Sequence, residues 1–202
     1  TTASKTVSIA NGSTGNKSYT ANWTATKYTI TYTLNGGSAT NPTEYTIETA
    51  TFTLTNPTKN GYTFTGWTGS NGNTASTSVS IAKGSTGNKS YTANWTATKY
   101  TITYTLNGGS ATNPTEYTIE TATFTLNNPT RSGYTFTGWT GSNGTTPSTS
   151  VSIAKGNTGH KNYTANWSLV TYSISYDLDG GSVSTANPTS YNVTTATFTL
   201  NN

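Results

Sequence analysis

Tyr28, Ile30, Tyr32 and Leu34 alternate with Thr29, Thr31 and Thr33. That is the period-two pattern of a strand with one buried face. Asn35-Gly36-Gly37 ends it with residues that tolerate positive φ. Tyr45 and Ile47 form a second short alternation, and Ala50, Phe52 and Leu54 a third on the opposite parity. The switch predicts a bend or bulge between Glu48 and Ala50, or two separate elements. Tyr62 and Phe64 then share a face, and Trp67 falls out of step after Gly66. A glycine inside a strand predicts a bulge or a close backbone approach. Val79 and Ile81 predict another strand, and Tyr91, Ala93 and Trp95 the last, with polar turns between. No stretch carries a 3.6-residue period. The one place left for helix is a short segment near residues 43–49.

This whole pattern recurs. Tyr-Thr-Ala-Asn-Trp ends at Trp23, Trp95 and Trp167, a spacing of 72 residues. The stretch from Lys27 to Trp95 matches Lys99 to Trp167 without a gap and with eight differences, among them Lys59 for Arg131 and Ala75 for Pro147. Four segments follow: 1–26, the last third of a repeat; 27–98 and 99–170, complete repeats; and 171–202, the first part of another. The chain therefore reads as a window on a longer array. Neither end piece contains the Gly-Tyr-Thr-Phe-Thr-Gly-Trp segment found at Gly61 to Trp67 and Gly133 to Trp139. Each would leave strand edges open. The expectation is disorder there, or a continuing array, or end-to-end heterologous association in a filament.

A repeat of this length is near the lower limit for an independent core. The alternation assigns that core to Tyr28, Ile30, Tyr32, Leu34, Phe52, Leu54, Tyr62, Phe64, Trp67, Tyr91 and Trp95. In the second copy it falls to Tyr100, Ile102, Tyr104, Leu106, Phe124, Leu126, Tyr134, Phe136, Trp139, Tyr163 and Trp167. The junction Thr96-Ala97-Thr98 is so short that neighbouring repeats should touch, giving a semi-rigid array. The fold class expected is mainly β: tandem small domains with little or no helix, in an elongated array.

Composition narrows the function. Charged residues are 8% of the 202, against roughly a quarter in ordinary soluble proteins. Thr, Ser, Asn and Gly take their place. The aromatic share is 12%, with 14 Tyr and 5 Trp, which sets the chain apart from disordered polar tracts. There is no Cys, so disulfides, thiolate catalysis and Cys-ligated metals are excluded together. The net charge is +4, but its lysines and arginines are scattered singly. A nucleic-acid footprint needs a clustered basic stripe, and none is present. No segment approaches the ~20 apolar residues of a transmembrane helix, so no membrane insertion is expected in this segment.

The ordered motifs carry a resemblance. Tyr-x-Ile-x-Tyr leads into Asn-Gly-Gly, then Asn-Pro-Thr, Thr-Phe-Thr-Leu, a second Asn-Pro-Thr, Gly-Tyr-Thr-Phe-Thr-Gly-Trp and Tyr-Thr-Ala-Asn-Trp. This set resembles the Listeria–Bacteroides repeat, the family that includes internalin B-repeats, over essentially the whole chain. The resemblance implies a β-grasp-like domain whose first and last strands lie parallel, side by side. It also implies an extracellular place on a bacterial cell surface, where such repeats link an adhesive region to the wall. It brings no catalytic residues. The low charge and abundant Thr depart from the internalin version, so no ligand carries over.

Candidate chemistry is sparse. The single histidine, His160, faces Asn88 in the preceding copy, which points to a surface turn residue and not a general base. Glu44 and Glu48, and Glu116 and Glu120, are pairs of the kind glycoside hydrolysis uses. The last copy replaces them with Ser190 and Thr194, and solvated loop is the better reading. Asp177 and Asp179 hint at a calcium loop but lack a third carboxylate nearby. A Lys–Asn isopeptide bond needs a buried Lys, and these lysines lie beside turns or strand ends. Trp67, Trp95, Trp139 and Trp167 are weighed as sugar-stacking platforms and read as core. The sequons at Asn16, Asn88, Asn94 and Asn143 are matches that such a composition produces by chance. The Thr ladders Thr29-Thr31-Thr33 and Thr51-Thr53 combine β propensity with a polar face.

No catalytic site, metal or cofactor is expected, and the chain reads as a non-enzyme. The expected function is a stalk or spacer in a bacterial surface or filamentous protein. The alternative is an adhesin module whose repeats bind host glycan or surface protein directly. The partners expected first are neighbouring repeats.

Overall fold

The computed structural model describes residues 2–201. The chain divides into two compact units. One holds the residues up to Lys59 together with Phe64–Trp95; the other holds Asn60–Thr63 and the residues from Thr96 onward.

The first complete repeat contains β1 (Tyr28–Thr33), β2 (Glu44–Tyr45), β3 (Phe52–Thr53), β4 (Tyr62–Gly69), β5 (Gly72–Ser76), β6 (Ser80–Ile81) and β7 (Lys89–Ala97). Five strands form one sheet in the order β2-β1-β7-β4-β5, and β3 pairs with β6 alongside. Strands β1 and β7 run parallel, with Ile30 opposite Lys89 and Tyr32 opposite Tyr91. The first and last strands of the repeat are therefore side by side, as the resemblance implied. The alternation explains β1: Ile30 points into the core, and Thr29, Thr31 and Thr33 are exposed. Threonine serves here because its branched β-carbon suits the pleat and its hydroxyl suits water.

Segment 43–49 is not helical. After β2 the chain makes a tight turn in which the Thr46 N–H bonds Thr49 Oγ1 at 2.9 Å and the Glu48 N–H bonds Thr46 Oγ1 at 3.2 Å. Threonine hydroxyls compete with helical bonds in this way and favour turns. The turn also accounts for the parity switch before Phe52.

The core of the repeat is Ile30, Tyr45, Leu54, Trp67, Val79, Ile81, Tyr91 and Ala93. Tyr28, Tyr32, Leu34, Phe52, Phe64 and Trp95 are partly buried against it. Tyr62, assigned to the core by its alternation with Phe64, is half-buried and stands outside this cluster. It lies at the start of β4, where the strand has run past the sheet's packed face.

The second repeat repeats the plan. It contains β8 (Tyr100–Thr105), β9 (Glu116–Tyr117), β10 (Phe124–Thr125), β11 (Tyr134–Gly141), β12 (Gly144–Ser148), β13 (Ser152–Ile153) and β14 (Lys161–Leu169). The sheet order is β12-β11-β14-β8-β9, with β10 paired to β13. Its core is Ile102, Tyr117, Leu126, Trp139, Val151, Ile153, Tyr163 and Ala165, with Tyr100, Tyr104, Leu106, Phe124, Phe136 and Trp167 partly buried against it. Tyr134, like Tyr62, is outside the cluster; the Arg131 guanidinium lies 3.5 Å from the centre of its ring.

The end pieces are less built. Residues 2–27 contain no strand, and Val7, Ile9, Tyr19 and Trp23 are exposed, Trp23 by 92%. After the second repeat only β15 (Tyr172–Ser173) and β16 (Ser190–Tyr191) pair, antiparallel. Tyr172, Leu178, Tyr191 and Leu200 remain exposed there.

Candidate functional site

The concentration of large side chains around Trp67 is the first place to look for a site. Its ring lies 5.8 Å from Tyr32, 5.4 Å from Phe64 and 6.4 Å from Tyr91, centre to centre. Phe64 in turn meets Trp95 edge-on at 5.4 Å. Tilted and edge-on contacts at these distances are favourable aromatic packing. Trp139 repeats the arrangement with Tyr104, Phe136 and Tyr163. Both Trp67 and Trp139 have 0% exposure. A sugar-stacking platform needs an open ring face, and these indoles offer none. Trp95 and Trp167 are half-buried, and each donates its indole N–H at 3.1 Å to a backbone carbonyl, Leu34 or Leu106.

The bulge at Gly66 brings Trp67 inward. The second copy shows the register shift directly, between Phe136 and Gly138 where β11 pairs β14. Gly66 sits at φ 136°, a conformation that costs a side chain dearly. Asn94, on β7, fastens the kink: its amide donates at 3.0 Å to both Gly66 O and Thr68 Oγ1. Asn166 does the same to Gly138 O and Thr140 Oγ1.

Other polar side chains hold backbone in the same repeated way. Asn35 donates to Ala93 O and Asn107 to Ala165 O, each at 2.9 Å. Asn41 and Asn113 bond both ways with the backbone of residue 55 or 127. The Tyr32 hydroxyl donates to Pro42 O and the Tyr104 hydroxyl to Pro114 O, each at 2.8 Å. Burial pushes Tyr32 up to about 12, with a smaller push from Tyr91; Tyr104 reaches about 12 by burial and by Tyr163. A raised phenol holds its proton in the folded state at a pH where the unfolded chain has lost it. Stability is therefore complete below about pH 10 and falls as pH rises towards 12. The urea midpoint is expected to be flat from pH 7 to 9 and to drop between pH 10 and 12. Replacing both tyrosines by Phe should flatten much of that drop.

The ionisable groups do not converge. His160 Nδ1 accepts the Thr101 N–H at 3.0 Å and lies 2.8 Å from Thr101 Oγ1. In the first repeat Asn88 Oδ1 accepts the Thr29 N–H, also at 3.0 Å. The histidine is thus more than a turn residue: it is an acceptor that fixes the start of β8. His160→Asn should leave stability unchanged, and His160→Ala should cost about 0.5–1.5 kcal/mol in denaturation. Glu44 and Glu116 lie in short strands, not in a loop, and pair with Lys27 at 2.9 Å and Lys99 at 3.2 Å on the surface. Exposed pairs of this kind contribute little. Asp177 Oδ1 accepts the Asp179 N–H at 3.0 Å, a local turn. Among the described residues no three of His, Asp and Glu gather as metal ligands. The sequon residues Asn94 and Asn143 are spent on internal bonds, Asn143 to Trp139 O at 2.7 Å.

An open cleft in the first unit is lined by Lys5, Val7, Tyr19, Ala21 and Trp23, among others. By the repeat alignment, Val7, Tyr19 and Ala21 correspond to Val79, Tyr91 and Ala93, which are core. In this segment Val7, Tyr19 and Trp23 are exposed and line the open cleft without packing into a core.

Residues 28–98 and again 100–165 match the family model of the Listeria-Bacteroides repeat domain (List_Bact_rpt). The chain belongs to this family. No curated protein and no solved structure matches it.

Within this Listeria-Bacteroides repeat the alternation of apolar residues missed four core positions in each copy: Tyr45, Val79, Ile81 and Ala93, and Tyr117, Val151, Ile153 and Ala165. Three of the four sit in elements of only two residues or beside one, where alternation predicts a strand but is too short to assign its side chains to the core. The signal for Ala93 is its parity with Tyr91, which puts both on the buried face of β7. Among the described residues no helix is long and apolar enough to cross a membrane.

Proposed function

We propose that the chain is a segment of a bacterial surface protein in which tandem Listeria-Bacteroides repeats act as a structural spacer. The observation that supports this reading most is where the repeated polar side chains go. Asn35, Asn41, Tyr32 and Asn94 all bond their own repeat's backbone, and Asn107, Asn113, Tyr104 and Asn166 repeat those bonds. Side chains that recur between copies are thus committed to holding shape. The Trp67 and Trp139 indoles, which a direct binder would expose, are enclosed.

A spacer makes a dimensional demand. Small-angle scattering on chains with two, four and six repeats is expected to give a maximum dimension that grows in proportion to repeat number. A dimension growing only as the cube root would mean collapse into one globule and would overturn the reading. Binding of the same chains to a glycan array, abolished by Trp95→Ala in a chain that still folds, would replace it with direct adhesion.

A further inference from the structure

We propose that the glycine opening each Gly-Tyr-Thr-Phe-Thr-Gly-Trp strand is a socket for the apolar residue of the tight turn in the repeat that follows. Two instances lie within the second compact unit, which includes residues 60–63. A β-carbon built on Gly61 would stand 2.5 Å from Ile119 Cδ1 and 3.0 Å from its Cβ. One built on Gly133 would stand 2.6 Å from Val193 Cβ. Ile119 and Val193 occupy the same place in successive repeats, the second position of the turn that follows the short strand β9 or β16. The apolar plug therefore changes from Ile to Val while the glycine stays.

Both partners are held rigidly. The Thr118 N–H bonds Thr121 Oγ1 at 2.9 Å, and the Asn192 N–H bonds Thr195 Oγ1 at 2.9 Å. Each turn thus presents its second residue outward on a fixed frame. On the socket side the Thr98 N–H donates to Gly61 O at 2.9 Å, and the Val170 N–H donates to Gly133 O at 3.0 Å. The linker is thus tied to the same glycine whose α-carbon receives the plug. At the first of these junctions the Tyr62 hydroxyl also donates to Glu120 Oε1 at 2.9 Å. The hydrogen bond to the carboxylate raises the Tyr62 phenol. The later copy has Thr194 where Glu120 stands, so the glycine and plug are the part that both junctions share.

Ile47 supplies the internal control. It occupies the same turn, held by the same Thr46 and Thr49 bonds, and is 45% exposed. Ile119, over Gly61, is half-buried, whereas the shorter Val193 meets Gly133 through Cβ and its methyls and stays 54% exposed, so the glycine sets a close contact at both junctions and buries the plug only at the first. The glycine also answers a local demand, because φ is +75° at both Gly61 and Gly133. Gly72, at φ +106° with nothing within 4 Å of an added β-carbon, measures backbone strain without a socket.

The inference rests on the spacer reading, since it says what makes successive repeats register. Thermal unfolding of the full chain tests it. Ile119→Ala is expected to lower the midpoint of the second unit by roughly 3–6 °C, and Ile47→Ala by less than about 1 °C. Gly61→Ala should lose markedly less in an Ile119→Ala background than alone, because the 2.5 Å collision with Cδ1 is gone and only strain and the milder 3.0 Å approach to Cβ remain; Gly72→Ala should show no such dependence. If the Gly61→Ala chain does not fold, a nuclear Overhauser contact between Gly61 Hα and the Ile119 methyls in the unaltered chain decides the point. Equal shifts for Ile119→Ala and Ile47→Ala, additive losses, or absence of that contact would overturn the socket. A flexible array would then still grow with repeat number, so the spacer reading is decided separately, by the scattering and glycan-binding measurements.

Discussion

Trp67→Ala is expected to cost about 3–5 kcal/mol, the range for emptying a large aromatic site in a packed core. The indole is fully enclosed and touches rings from three strands: Tyr32 on β1, Phe64 on its own strand and Tyr91 on β7. Removing it leaves β1, β4 and β7 facing a cavity between Tyr32, Phe64 and Tyr91. At roughly 0.05–0.15 kcal/mol per residue, a repeat of this size has stability of the same order as the loss. Hydrogen exchange locates the effect. The β7 amides should lose most of their protection, and the β14 amides, which belong to the repeat built on Trp139, should keep theirs. Protection in β7 equal to that in β14 would show that the ring is dispensable. The Trp67 indole N–H is buried without an acceptor, as is that of Trp139, which costs about 1–3 kcal/mol against the packing gain. Trp67→Phe removes that unpaired donor with part of the ring, and should therefore cost less than half of Trp67→Ala.

Much of this repeat was legible because one face of each long strand is apolar and the other is threonine. The alternation through Tyr28, Ile30, Tyr32 and Leu34 placed β1, and the misstep at Gly66 placed a bulge. Repetition did the rest, since a second copy confirms a pattern that one copy only suggests. Two kinds of feature were not legible. Strands of two residues, such as β2 and β6, offer a single inward position, so the short alternations at Tyr45 and at Val79 and Ile81 predict strands without assigning those side chains to the core. Tyr62 was placed in the core by parity alone, but parity fixes a face of a strand and not how far the packed part of the sheet extends along it. The polar frame was also hidden. Asn35, Asn94 and His160 act across 58, 28 and 59 residues of chain. Nothing local distinguishes an asparagine that reaches a distant carbonyl from one that faces water.

Gly66→Ala should be as damaging as losing a core ring, although it adds one carbon and removes none. Two independent costs meet at this position. The backbone lies at φ 136°, and holding a side chain there costs about 1–3 kcal/mol. The new β-carbon would stand 2.5 Å from Ser76 N and 2.8 Å from Ala75 C. Those are backbone atoms of β5, so no rotamer change relieves the contact, and the strand must move. Moving β5 pulls on the pairing of Trp67 with Ser76, which is what keeps the indole under the sheet. The kink is also tied from the other side by Asn94, whose amide holds Gly66 O and Thr68 Oγ1. The strand therefore cannot straighten to escape. The combined cost is expected to exceed about 3 kcal/mol. Gly72→Ala, at positive φ in open space, should show strain alone and stay nearer 1 kcal/mol. Urea denaturation of the two variants separates the terms, with the β5 amide shifts reporting displacement. If Gly66→Ala and Gly72→Ala prove equally costly and the β5 shifts are unmoved, the close approach of β4 and β5 contributes nothing to the bulge, and only its dihedral angle matters.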